Sequence, residues 1–484
     1  MATISSPGLG SGLDVNSIVE QLVSIERRPI DLLTTQKTAL QSKLSAFGLL
    51  RSYTVNVEDA VARLADPTLW QKTSTSSTDA SAVTATSNAT ASPGTYSVQV
   101  SQLAQSQSLA SGAYSSNTAS VGTGTLKIEL GSWGAGPTFA PKVPASSVDI
   151  VIGAGEDSLE SVRAKINAAN AGVSASIVKD STGSRLVIRS LETGAENALR
   201  ITATADTPLP TLPTDPPSLA SLVYNPAVPA SSKLTQTLEA KDAQATINGL
   251  VVTSKSNAFA DVISGVSLTV SKVTTTNAQI SVGSDTAAMK NAVNDFVKAY
   301  NEISKYLGEQ TKYDPDSKTA GALQGDRATL SLQSQLRTAL GQASGASSVF
   351  RSLSDLGIEL QRSGSLTVND AKLSSALGNL TEVSKAFTNP ASNGVGSTGL
   401  AVRLKSLTDS MTLTDGIVTT RSEGLRSSIK RADDQVAKYE LRLTATRERL
   451  MRQYGALDTR LSALTGLNSY VSQQITNWNK SGSN

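Results

Sequence analysis

Ile429, Val436, Leu443, Leu450, Leu457, Leu464 and Val471 stand seven residues apart near the end of this 484-residue chain. A repeat of seven keeps apolar side chains on one side of an α-helix, and such a stripe needs a partner to bury it. A companion column runs Leu425, Ala432, Tyr439, turns polar at Thr446 and Gln453, and resumes one place over at Tyr454 and Leu461. A straight helix drifts about 20° per heptad, so six heptads turn one column by roughly 120°. The helix therefore supercoils around partners or lets its buried stripe migrate, and the shifted companion column predicts some of each. A bundle within one chain and a coiled coil between chains both satisfy the pattern.

The other end of the chain carries the same signal. From Val15 to Leu64 apolar residues fall three and four apart: Ile18, Leu22, Ile25, then Leu33, Leu40, Leu44, Phe47, then Val57, Val61, Leu64. Pro29 has no backbone donor and disfavours helix at Arg28, so it predicts a break or a kink there. Asp14 or Ser17 is placed to cap the first helix, and Ser17-Ile18-Val19-Glu20 fits a capping box. The expected assembly residues are Ile18, Leu22, Ile25, Leu40, Leu44 and Phe47 at this end, with Leu425, Ile429, Val436, Leu443, Leu450, Leu457 and Leu464 at the other.

Between the ends the pattern turns to strands. Residues 73–120 are rich in Ser, Thr and Ala, and Tyr96-Ser97-Val98-Gln99-Val100 alternates as a half-buried strand does. Similar runs occupy 125–130, 148–152, 184–189, 245–249 and 265–270. A helix over residues 158–169 interrupts them, with Leu159, Val162 and Ile166 as its buried positions. Residues 204–230 hold seven of the sixteen prolines, which predicts an extended linker or long loop. Helical spacing resumes with Met289, Val293, Phe296, Val297, Tyr300, Ile303 and Leu307.

The expected fold is α+β: helices from both chain ends form a coiled-coil or bundle leg, and β-rich head domains are inserted between them. The segments read as 1–72 for the first half of the leg and 73–121 for the first part of one head domain. An inserted head domain over 122–232 contains the Pro-rich segment, and 233–283 returns to the first head domain. The second half of the leg spans 284–420, and a coiled coil spans 421–484.

Composition narrows the chemistry. The chain has no Cys and no His, so a Ser-His-Asp or Cys-His nucleophile cannot be built and a disulfide framework is excluded. Zinc and copper lose their usual ligands, and no metal or other cofactor is expected. Aromatic residues are only 4%, which favours thin layers and helical legs over thick cores. With 43 basic and 40 acidic residues the charge is too balanced for a nucleic-acid footprint. No stretch approaches the ~18 apolar residues a membrane span needs, and the first residues show no ordinary secretory signal.

Local motifs carry bland readings. Gly8-Leu9-Gly10-Ser11-Gly12 lacks the strand and the Lys-Ser/Thr of a phosphate loop. Tyr313-Asp314-Pro315-Asp316-Ser317-Lys318 has two acids in calcium-loop fashion, but Gly325 stands where a bidentate Glu is needed, and it reads as a helix-to-helix turn. Arg442, Arg447, Arg449, Arg452 and Arg460 interleave with Glu440, Glu448 and Asp458, as on a solvated helix face.

Five motifs in order resemble one family. Gly8-Leu9-Gly10-Ser11-Gly12-Leu13-Asp14 with Glu26-Arg27-Arg28-Pro29-Ile30 resembles the opening of flagellar filament cap proteins, the hook-associated protein 2 family. Asp157-Ser158-Leu159 through Ile166-Asn167-Ala168-Ala169, then Gly172-Val173-Ser174-Ala175-Ser176, resembles the "IN" motif of hook-associated proteins and flagellins. Thr246-Ile247-Asn248-Gly249 with Val262-Ile263-Ser264-Gly265-Val266 is similar to the returning part of the cap head. Leu323-Gln324-Gly325-Asp326 and the C-terminal heptads complete the series. Residues 131–147 and the Pro-rich stretch match none of these motifs.

The resemblance implies a secreted, extracellular structural protein at the filament tip and not an enzyme. It implies export through the flagellar type III apparatus with a cytoplasmic export chaperone, and a homo-oligomeric ring, a pentamer by expectation. Its implied partners are flagellin, whose folding and insertion it would promote, and the hook-filament junction protein; nucleic acid and membrane insertion are not implied. Alternative readings are a tip adhesin for host mucin or glycan, a secreted enzyme on a stalk, and another axial protein such as the junction protein.

Overall fold

The computed structural model describes residues 14–144, 146–211, 216–316, 318–391 and 395–481. The chain divides into two compact units, Met1–Trp70 with Thr286–Asn484, and Gln71–Asp285. The first holds α1 (Val15–Glu26), α2 (Arg28–Ala65), the single turn α3 (Pro67–Trp70), α5 (Thr286–Thr311), α6 (Arg327–Gly341), α7 (Asp370–Ala376), α8 (Leu380–Thr388), α9 (Leu400–Thr412) and α10 (Ile417–Ser481). The second is β-rich and contains α4 (Leu159–Ala168). Long helices at both ends and antiparallel sheets between them make the fold α+β.

Local chemistry sets the helix boundaries. Pro29 falls in the first turn of α2, where a missing N–H loses no helical bond, so α1 stops at Glu26 and a second helix starts. Asp14, and not Ser17, caps α1: its carboxylate accepts the Ser17 N–H at 3.0 Å. Asn369 and Asn379 cap α7 and α8 in the same way.

The core of this unit is one apolar cluster. Phe47, Leu50, Val61 and Leu64 of α2 meet Met289, Phe296 and Ile303 of α5, Leu336 of α6, Phe387 of α8 and Leu404 of α9, all buried. Trp70 stacks on Phe387 with ring centroids 4.9 Å apart and planes 4° from parallel, and its indole N–H reaches the Leu64 carbonyl at 3.0 Å. Two small hairpins join the helices. Tyr313–Asp314 (β17) pairs with Thr319–Ala320 (β18), so the expected helix-to-helix turn is a hairpin between α5 and α6. Ile358–Leu360 (β19) pairs with Leu366–Val368 (β20).

In the second unit, a five-stranded sheet runs β1 (Thr73–Ser77), β16 (Ala278–Ser284), β3 (Gly94–Gln102), β12 (Ala243–Ile247), β13 (Leu250–Ser254). A three-stranded sheet of β14 (Ala258–Ile263), β15 (Val266–Val270) and β2 (Val83–Ser87) shares its core, built on Val98, Val100, Phe259, Leu268 and Ile280. A second core joins two four-stranded sheets. One has β5 (Gly124–Trp133) paired with β10 (Ala198–Ala205), β6 (Phe139–Pro141) and β7 (Ser147–Ile152). The other runs β11 (Thr235–Leu238), β4 (Ser108–Ala110), β9 (Gly183–Ser190), β8 (Val173–Asp180). Leu159, Val162 and Ile166 of α4 are fully buried in this second core.

The Pro-rich segment is less of a linker than its composition predicts. Leu219 and Leu222 are fully buried, and Tyr224 exchanges backbone hydrogen bonds with Ile201 of β10 at 2.8 Å each way. The proline-free run Ser218–Tyr224 supplies apolar side chains three apart, enough to anchor the loop on the second core.

Three asparagines repeat one device. The Asn167 amide donates to the Ala175 carbonyl at 2.9 Å and accepts the Ala175 N–H at 2.7 Å. Asn257 does the same to Ala104 at 3.3 and 2.8 Å, and Asn301 to Leu366 at 2.8 and 2.7 Å. Each side-chain amide imitates a neighbouring strand and satisfies both polar groups of one backbone residue.

Candidate assembly surface

The terminal helices converge inside the helical unit, where α10 packs along α2 and α1. The expected assembly residues fall into three groups there. Phe47 and Leu425 are buried in the core, and Leu40 and Leu44 are half-buried against it. Ile18, Leu22, Ile429, Val436, Leu443 and Leu450 are half-buried along the packed helices. Ile25, Leu457 and Leu464 are exposed, Leu457 by 45% and Leu464 by 61%. Beyond them Leu467, Tyr470, Val471, Ile475 and Trp478 are also exposed. The companion column therefore starts in the core at Leu425 and Ala432, while the heptad column is half-covered from Ile429 to Leu450 beside α1 and α2 and ends in solvent.

Two charge pairs link these helices. Lys37 of α2 meets Asp433 of α10 at 2.5 Å, and Glu20 of α1 lies 4.0 Å from Arg447. Both pairs are open to solvent on at least one side and contribute little each. The stronger contact is at the root of α10, where Arg421 Nε and Nη2 donate to Asp326 Oδ2 at 2.9 and 2.7 Å. Asp326 Oδ1 meanwhile accepts the Ala328 and Thr329 N–H groups at 3.0 and 3.3 Å, capping α6. With its side chain 1% exposed, this carboxylate depends on both partners. Sequence reasoning singled out Leu323-Gln324-Gly325-Asp326 as a motif without giving it this role, because Arg421 lies far along the chain. Val15 and Val19, buried on α1, were also absent from the expected set, although their i, i+4 spacing signals a core face.

A second acidic anchor lies on α8. Glu382 accepts from Lys385 Nζ at 2.8 Å, from Ser347 Oγ at 2.7 Å and from the Ser348 N–H at 3.0 Å. Led by Lys385, these donors hold its pKa down at about 2. Among the described residues no group of acids could hold a metal ion, and no helix is long and apolar enough to cross a membrane.

Comparison with known proteins places this arrangement. The family model for the flagellar hook-associated protein 2 N-terminus matches residues 11–107, and that for its C-terminus matches residues 240–466. The flagellar hook-associated protein 2 of Escherichia coli is 30% identical, with 99% of each chain covered. The chain belongs to the flagellar hook-associated protein 2 family. A further hook-associated protein 2 relative, the B-type protein of Pseudomonas aeruginosa, is 32% identical over 96% of each chain. The flagellin hook IN motif matches residues 138–192, the segment in which Asn167 clamps Ala175. The crystal structure of the D1-D2-D3 domains of the flagellar cap protein FliD from Escherichia coli superposes with a TM-score of 0.60 at 28% identity, covering 79% of this chain and 99% of that one. Hook-associated protein 2 is a structural component of the flagellum, and these matches do not favour the enzyme, adhesin or junction-protein readings.

Proposed function

We propose that this chain forms a closed ring at the tip of the growing filament and promotes the folding and insertion of exported flagellin. The observation that carries the reading is the heptad column of α10, which is half-covered from Ile429 to Leu450 and continues apolar into solvent. An exposed apolar stripe of this length marks a surface for another chain to cover. In this reading the terminal helices act as a leg entering the next subunit positions, and the β-rich unit forms the plate above them. The segments 1–72, 284–420 and 421–484 make the leg, and 73–121, 122–232 and 233–283 the head. The ring is taken as a pentamer of identical chains. The protein reaches the outside through the flagellar type III apparatus with a cytoplasmic chaperone, and it meets flagellin and the hook-filament junction protein there.

Deletion in the parent bacterium tests this, with flagellin followed by immunoblot on cells and in the medium. Soluble flagellin in the medium, absent filaments, and recovery on adding the purified chain support the proposal. Normal filaments in the deletion strain overturn it.

A further inference from the structure

One groove on the helical unit has a definite chemical character. It measures about 620 Å³ and lies where the start of α2 passes α10. Its apolar floor is Pro29, Leu32 and Leu33 from one helix and Tyr439 from the other, and Lys438 and Arg442 form its rim. Pro29, Leu32 and Leu33 are spaced i, i+3, i+4, and so are Gln435, Lys438 and Tyr439, so two complete helical stripes face the same opening. Leu32 is 72% exposed, so an occupant of the groove would take apolar surface out of water.

The charge of the groove is one-sided. Lys438 and Arg442 enter no ion pair among the described residues, and the pairs that join these helices use Lys37 with Asp433 and Arg447 with Glu20. Asp31, beside Leu32, is engaged by Arg27 at 3.7 Å. Following the helix face past the groove, Arg431 and Arg449 fall at the same periodicity as Lys438 and Arg442. An apolar trough edged by unpaired cations on a rigid helix pair suits an amphipathic helix whose apolar stripe is flanked by carboxylates.

We propose that this groove docks an acidic amphipathic helix of a different protein. The exposed distal part of α10 from a second copy is a poor occupant, because residues 459–481 contain no Asp or Glu to meet the cationic rim. The inference stands on the groove alone and does not depend on the filament-cap reading.

The test uses the full chain and a fluorescent synthetic helix of about 18 residues, with a leucine stripe flanked by glutamates. A control peptide has every glutamate replaced by lysine. Fluorescence anisotropy should show saturable binding of the acidic peptide and at least about tenfold weaker binding of the basic one. Lys438→Glu with Arg442→Glu should reverse that preference, and Leu32→Glu should weaken the acidic peptide about tenfold or more. Lys298→Glu, the same charge change as Lys438→Glu alone but at an exposed position of α5, controls for net charge and should bind both peptides as the parent chain does. Circular dichroism melts matching the parent chain confirm that each variant is folded, and Leu32, Lys438 and Arg442 are exposed enough for this. Equal binding of both peptides, binding indifferent to the groove variants, or an equal loss with Lys298→Glu overturns the proposal.

Discussion

The two ends of α10 carry the same seven-residue repeat and have opposite fates. Near its start Val418, Leu425 and Ala432 are buried in the helical core, whereas Leu464, Leu467 and Trp478 near its end stand in solvent. Periodicity states that a face is apolar, but what covers the face depends on how far neighbouring elements extend. Here α2, α6 and α9 surround the root, α1 and the first half of α2 accompany the middle, and the last turns run beyond them. The root is a folding element of this chain, and the distal part leaves its apolar side chains in solvent.

That contrast can be broken by substitution at matched positions. The largest effect is expected from Leu425→Ala at the root, which should lower the stability of the helical unit by about 2–5 kcal/mol in denaturant titration. A loss below about 0.5 kcal/mol there would erase the distinction. Next comes Asp326→Ala, which strips the α6 cap and leaves Arg421 without its acceptor; a loss of about 1–3 kcal/mol is expected in the same titration.

Acid sharpens the comparison from another side. The Glu382 pKa is depressed in the folded chain, so its contribution is fully present above the unfolded carboxylate value and fades as pH falls toward about 2. Melting temperatures of the parent and Glu382→Gln should therefore differ at pH 6 and converge as pH drops below about 4 toward 2. A gap that stays constant with pH would show that the carboxylate charge is not the cause. The smallest effect on the chain's own stability belongs to Leu464→Ala, within about 0.5 kcal/mol of the parent. The same substitution should nevertheless impair restoration of filaments by added protein if the distal stripe is an assembly surface.

Most of the helical architecture was legible in the sequence because long amphipathic runs report their own period, and Pro29 marked a boundary by removing one donor. The buried face of α4 was legible for the same reason: Leu159, Val162 and Ile166 could lie on only one side. Three things were not. The degree of burial along α10 depends on neighbours that periodicity does not encode. The Pro-rich segment was judged by its prolines, while the short run around Leu219 and Leu222 decided its packing. The Asp326–Arg421 contact joins residues 95 positions apart, and nothing local to either predicts the other.

The asparagine clamps also bear on how the chain finds its correct alignment. Each amide reads the N–H and the C=O of a single residue, so a slip of one place in β8 would turn both groups of Ala175 away from Asn167. The clamp therefore works as a registration pin that engages at one alignment only. Because it is made of neutral amides, it needs no oxidant, metal or proton to close, and with neither cysteine nor histidine the chain carries its fasteners ready-made wherever it folds.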